Sequence, residues 1–272
     1  MPCVEIFRHI ILSAEILLIL PFCFRAEGNK AYPLKLGSVI LPVYCHMTDN
    51  LGACGGGGWT LVMKIDGKKV FNESNHKDKY EFVMNSEVTH DQLIDTILSQ
   101  DTFHFDSPYW SDKNVTNLLD GKSGFDGNET TLPTYWNTPF YKICLGMKIS
   151  HNINFIVIDK EANSLYSLIA DGQYRATSLG RDTWKSLIGS QGTLQTECSL
   201  EGFNCGCSVL EASKARIGIV ANNQQKCDTC DFKIGFGTGG YTDGNNTCGN
   251  VGPYTSDNGS KNVKAMGYIL IQ

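Results

Sequence analysis

From residue 33 to residue 272 the apolar positions fall into short runs broken by glycine and polar turns. There is no internal repeat, heptad run or low-complexity linker. The runs are Trp59–Ile65, Ile143–Ile149, Asn154–Ile158, Leu165–Ala170, Arg216–Val220 and Tyr268–Ile271. Several mix β-branched and aromatic residues over a strand's length, which predicts strands. Two stretches carry helical spacing. In Thr89–Gln100, Thr89 and Gln92 form a capping-box pair ahead of Leu93, Ile94, Ile97 and Leu98. The shorter one is Arg181–Ile188, around Trp184. Residues 100 to 140 are polar, aromatic and glycine-rich and read as a long, folded surface region. The pattern predicts one α+β domain of twisted antiparallel strands, few helices and long disulfide-stapled loops.

Four consecutive glycines, Gly55–Gly58, stand directly before the strand-like Trp59-Thr60-Leu61-Val62-Met63. A phosphate cradle needs Gly-x4-Gly-Lys-Ser/Thr leading into a helix, and strand chemistry follows here instead. Gly121-Lys122-Ser123 fits that pattern better, but Thr116 stands where its first glycine belongs. Strand-like sequence on both sides argues against a flexible linker. What remains is a tight turn in which backbone passes close to backbone.

Composition adds little to this picture. The chain of 272 residues is 42% hydrophobic and 19% charged, with a net charge of −5 and no block of like charges. That argues against wholesale disorder and against a nucleic-acid partner, which would show a basic stripe. The acids are scattered, so no acidic mineral-nucleating run is visible.

The N-terminus and the cysteines say more. Ile10–Phe24 has the length of a signal-peptide core, interrupted by Glu15, and Ala26-Glu27-Gly28 offers a small-x-small cleavage pattern. The competing membrane anchor would need an uncharged span of roughly 20 residues. Residues 1–28 are therefore read as a signal peptide and 29–272 as the mature, secreted domain, starting near Asn29.

Of eleven cysteines, Cys3 and Cys23 fall in the signal, leaving nine. These are Cys45, Cys54, Cys144, Cys198, Cys205, Cys207, Cys227, Cys230 and Cys248. Such density suits an oxidising compartment and predicts a disulfide framework. Cys227-x-x-Cys230 and Cys205-x-Cys207 offer zinc knuckles as the competing reading, although no histidine lies beyond His151. An odd count leaves one thiol over, or a disulfide-linked oligomer through it. Sequons at Asn72, Asn114, Asn128, Asn245 and Asn258 predict a glycosylated surface.

On two motifs the chain resembles a known family. Val43-Tyr44-Cys45-His46-Met47 followed by Gly55–Gly58 and Trp59-Thr60-Leu61-Val62 resembles the opening of the fibrinogen C-terminal domain family. Ile234-Gly235-Phe236-Gly237-Thr238-Gly239-Gly240-Tyr241, then Cys248-Gly249 and Gly267-Tyr268-Ile269-Leu270, look more like its intelectin branch. Over roughly residues 33 to 272 the chain is similar to secreted cnidarian proteins of this type, among them skeletal organic matrix proteins of stony corals. The resemblance implies a single fibrinogen C-terminal-like domain. In that pattern the Cys45 position pairs with an N-terminal partner. None remains upstream here once the signal is removed, so Cys54 or Cys144 is the expected partner.

The departures bear on function. The Trp-Trp-Tyr box of fibrinogen domains is absent, and intelectins coordinate calcium partly through a C-terminal histidine that this chain lacks. Asp243, Asn245 and Asn246 are oxygen donors on one turn that calcium favours, with Asp257 as a further donor. Calcium takes six to eight oxygens, so the set is incomplete and a polar, glycosylated turn is the preferred reading. Tyr135, Trp136, Phe236, Tyr241 and Tyr254 offer sugar-stacking faces, with core packing as the commoner fate. No Gly-x-Ser-x-Gly elbow or His-Glu-x-x-His helix is present, and His46, His76, His90, His104 and His151 show no local base pattern. The expectation is a non-enzymatic matrix component acting through protein or glycan contacts. The alternative is a calcium-dependent lectin of innate recognition.

Overall fold

The computed structural model describes residues 28–69, 102–209, 212–240, 246–252 and 256–272. The proposed signal, the helix expected at Thr89–Gln100, the sequon at Asn72, and Tyr241, Asp243, Asn245 and Tyr254 lie outside them. In chain order the described elements are β1 (Lys30–Leu36), β2 (Val39–His46), β3 (Trp59–Asp66), β4 (Thr130–Thr131), α1 (Thr134–Asn137), β5 (Phe140–Ile149) and β6 (Asn152–Ala162). Then follow α2 (Leu165–Ile169), β7 (Arg175–Ala176), α3 (Arg181–Ile188), β8 (Glu197–Gly206), β9 (Lys214–Asn222), β10 (Phe232–Gly239), β11 (Cys248–Gly252), β12 (Lys261–Lys264) and β13 (Met266–Ile271). The strands pair antiparallel in two sheets. One has the order β1-β2-β3-β13-β5-β6 with β4 beside β3, and the other β12-β11-β10-β9-β8-β7. The mostly antiparallel, helix-poor, disulfide-bearing architecture is the one that the sequence pattern predicts.

The two sheets share the main core. Val62, Ile65, Leu145 and Ile269 of the first belong to one cluster with Ile217, Ile219, Ile234 and Phe236 of the second. Helices α2 and α3 add Leu165, Ile169, Trp184 and Leu187 to it. A second cluster holds Leu34, Val43, Cys45, Trp59, Leu61, Cys144, Tyr268 and Leu270. On β13, Ile269 and Ile271 join the first cluster while Tyr268 and Leu270 join the second, so strand alternation buries both faces of the first sheet.

The glycine run is a backbone crossing. A Cβ on Gly57 would lie 2.1 Å from the Met47 carbonyl oxygen, so no side chain fits there. Gly55, Gly56 and Gly58 hold φ of 50°, 58° and 90°, the left-handed region that favours glycine. Gly58 donates its N–H to His46 O at 2.8 Å, and the Trp59 indole donates to Gly55 O at 2.9 Å. The turn thus delivers a fully buried Trp59 to the start of β3.

Two expectations need correction. Leu165–Ala170 is grouped among strand-like apolar runs, yet Leu165–Ile169 is helical. Ser164 Oγ caps it by accepting from Ser167 N at 3.1 Å, and Leu165, Leu168 and Ile169 fall on one buried face. The region of residues 100 to 140 is not mainly surface where it is described. Phe103, Trp110, Leu132 and Tyr135 are fully buried, and Tyr135 donates its hydroxyl to Trp110 O at 2.8 Å. Composition reads polar there because short turns carry a few large core side chains.

Candidate functional site

The proposed calcium turn follows β10. Of its three donors only Asn246 is described, and it is fully buried. Its amide donates to Asn262 Oδ1 at 3.0 Å and to Val263 O at 3.2 Å, while its own Oδ1 has no hydrogen-bond partner. That orphan oxygen is the one feature among the turn's described residues that fits a cation. The rest argues the other way. The buried Lys233 ammonium donates to Gly239 O at 2.9 Å and Gly240 O at 3.3 Å, occupying two carbonyls at the turn's entry with a positive charge. Asp257 is already committed, 2.7 Å from Lys185 Nζ and accepting from Leu194 N at 3.1 Å. Its carboxyl feels burial upward, but these partners outweigh it and the net shift is downward.

Beside this entry the sequence gives no hint of a second group. The Gly239 backbone packs on the His104 ring, since a Cβ there would meet Nε2 at 2.9 Å. His104 Nδ1 accepts from Asp106 N at 3.3 Å, and its buried Nε2 has no partner. Burial, reinforced by Lys233, Lys214 and Arg216, lowers this imidazole to about 4. The neutral ring is therefore the working form. Arg216 donates Nε to Phe105 O at 2.6 Å, with its guanidinium 4.3 Å from the Phe105 ring centroid. A neighbourhood holding three basic groups disfavours a divalent cation.

The cysteines sort into three disulfides, Cys54–Cys144, Cys198–Cys227 and Cys207–Cys230. Cys45, expected in a bridge, is instead a buried thiol, as are Cys205 and Cys248. The reason is topological. In the order β2-β3-β13-β5, Cys45 and Cys144 are three strand steps apart, about 14 Å, far beyond disulfide reach. Cys54 meets Cys144 instead, with Cα atoms 5.7 Å apart. Burial pushes the Cys205 thiol up to about 12 and Cys248 well above its ordinary value. A disulfide-linked oligomer through a leftover cysteine therefore lacks an exposed thiol among the described residues.

Two carboxylate anchors also went unread in the sequence. Lys64, fully buried on β3, sends its ammonium into the loop after residue 119, to Asp120 O at 2.7 Å and Asp126 Oδ1 at 2.5 Å. The lysine occupies an oxygen cage of the sort a metal would otherwise take. Glu201 on β8 accepts from the Trp184 indole at 2.7 Å, Thr177 Oγ1 at 2.9 Å, and Leu179 N and Gly180 N at 3.0 Å. This carboxylate pins α3 and residues 177–180 ahead of it to the second sheet. The mixed polar sequence of β8, with Glu197 four residues earlier, gives no signal of this role.

The sequon residues Asn114 and Asn128 are exposed, as a glycan requires; Asn258 is exposed too, but its Nδ2 donates to Ser190 O at 2.9 Å and Gly192 O at 3.1 Å. Among the proposed stacking rings Tyr135 and Phe236 are core, and Trp136 is half-buried. His46, also buried, hydrogen-bonds Asn50 Oδ1 at 2.9 Å and Tyr44 Oη at 3.3 Å.

Set against known proteins, no family model matches the chain and no curated protein matches it.

Proposed function

We propose that this chain is a secreted, non-enzymatic component of an extracellular matrix, that of a mineralised skeleton. It carries a fibrinogen C-terminal-like domain of the intelectin-like branch and acts through protein and glycan contacts. The observation that carries this reading is the set of three disulfides within one sheet-rich unit, chemistry that persists in oxidising compartments. Exposed sequon asparagines support it, and no helix among the described residues is long and apolar enough to cross a membrane. The two histidines buried among the described residues fit a non-catalytic role. His46 is held among neighbours, and His104 is sealed from solvent. Expression in a secretory host tests it: the reading expects protein in the medium whose mass falls on enzymatic removal of N-glycans. Retention in the cell without glycans contradicts it.

The orphan Asn246 oxygen favours one second reading, a calcium-dependent lectin of the intelectin or ficolin type. A glycan array with and without chelator separates the two. Chelator-sensitive sugar binding selects the lectin.

A further inference from the structure

Beside the second sheet three cysteine sulfurs are grouped as a metal would hold them, and a fourth is bonded to one of the three. Sγ atoms of Cys198, Cys207 and Cys230 all lie within 4.8 Å of one another, and Cys227 Sγ is bonded to that of Cys198. A tetrahedral zinc with Zn–S bonds of about 2.3 Å places its sulfurs about 3.8 Å apart, so small side-chain movements suffice. Cys227 and Cys230 also have the x2 spacing of a zinc knuckle.

Backbone hydrogen bonds set the placement together with the S–S bonds. Strand β8 pairs with β9 from Glu197↔Asn222 to Gly206↔Lys214, and β9 with β10 from Phe232↔Ala221 onward. Cys198 is the extra residue of a bulge between Glu197 and Ser199, a device that re-aims a side chain. The segment after β8 is zipped to the β9–β10 connection by Ser208 N to Cys227 O at 3.3 Å, Val209 N to Asp228 O at 3.0 Å and Ser213 N to Cys230 O at 2.8 Å. Asn222 holds the connection from the other side, donating to Lys226 O at 2.9 Å. These backbone bonds hold the segment after β8 against the β9–β10 connection alongside the bridges, with the sulfurs of Cys198, Cys207 and Cys230 grouped together and Cys227 next to Cys198. Cys207 and Cys230 are buried while Cys198 and Cys227 are partly exposed, so an ion enters from their side.

We propose that Cys198, Cys207, Cys227 and Cys230 form a redox-gated site for zinc or a similar thiophilic divalent cation, with two exclusive states. In the oxidised state the four sulfurs make two disulfides and hold no metal. A dithiol gives each disulfide two electrons and two protons and closes to its own disulfide, leaving four thiols. Zinc binding then displaces four protons and forms a tetrathiolate centre. A disulfide oxidant takes the electrons back, restores both bridges and ejects the ion.

The test uses the full secreted chain, reduced by a phosphine without oxygen and titrated with cobalt(II), then with zinc. One equivalent of cobalt is expected, with thiolate charge-transfer and tetrahedral ligand-field bands that zinc abolishes. Untreated protein should give no such bands. Cys227→Ser/Cys230→Ser should weaken binding at least about 100-fold. Cys54→Ser/Cys144→Ser, which keeps all four ligands, should bind as the parent does. A reduced parent chain that binds no cobalt, folded or not, overturns the proposal, and so does unchanged binding by Cys227→Ser/Cys230→Ser.

Discussion

The Cys54–Cys144 bridge closes a separation of 90 residues, whereas Cys198–Cys227 and Cys207–Cys230 close 29 and 23. The first joins the glycine turn to β5, elements brought together only when the whole first sheet has formed. The other two tie the start of β8 and the segment after it to the β9–β10 connection, which the N–H groups of Ser208, Val209 and Ser213 also hold in place. The long bridge therefore restricts the unfolded chain most, and each short one restricts it less by about 1 kcal/mol. That difference teaches where the loss of a single bridge costs least: beside β8, not at the turn.

The largest effect expected is from Cys54→Ser/Cys144→Ser, about 4–5 kcal/mol by chain entropy, against about 3–4 for Cys198→Ser/Cys227→Ser. Urea midpoints of the two variants measure the gap, and the reverse order would break the comparison. Next comes the turn itself. Gly57→Val drives a Cβ into Met47 O and should cost about 3 kcal/mol or more, out of a total stability of roughly 5–15, with loss of secreted yield. Gly56→Ala meets no atom within 4 Å and suffers only its φ of 58°, about 1 kcal/mol. Equal yields from the two would return the run to a linker.

Acid sharpens the contrast away from the three bridges. His104 titrates at about 4 in the fold and at its ordinary 6.5 when unfolded. The unfolded chain thus binds the extra proton first, and stability falls as pH drops from 6.5 to 4, by about 3 kcal/mol. Glu129, raised by burial, works in the opposite sense, so a paired comparison is needed. His104→Gln should flatten the pH profile of the urea midpoint in that window, and an unchanged slope would contradict the assignment.

Local chemistry was legible in the sequence and long-range register was not. The Gly55–Gly58 crossing, β3, β5, β9, β13 and α3 follow from nearest-neighbour pattern. The pairing of Cys54 with Cys144 follows from two strands inserted between β2 and β5, which no spacing reveals. Lys64 and Glu201 looked like isolated charges because their partners lie far along the chain, at Asp126 and Trp184. The calcium turn read as three adjacent donors. Asn246 is in fact turned inward, and Lys233 holds the carbonyls before it.

Peptide mapping of the secreted chain, alkylated first natively and then after denaturation, tests the framework most directly. The account predicts three bridges, Cys54–Cys144, Cys198–Cys227 and Cys207–Cys230, with Cys45, Cys205 and Cys248 alkylated only once the fold is opened. Cys45 recovered in a disulfide, or native labelling of any of those three thiols, would contradict it.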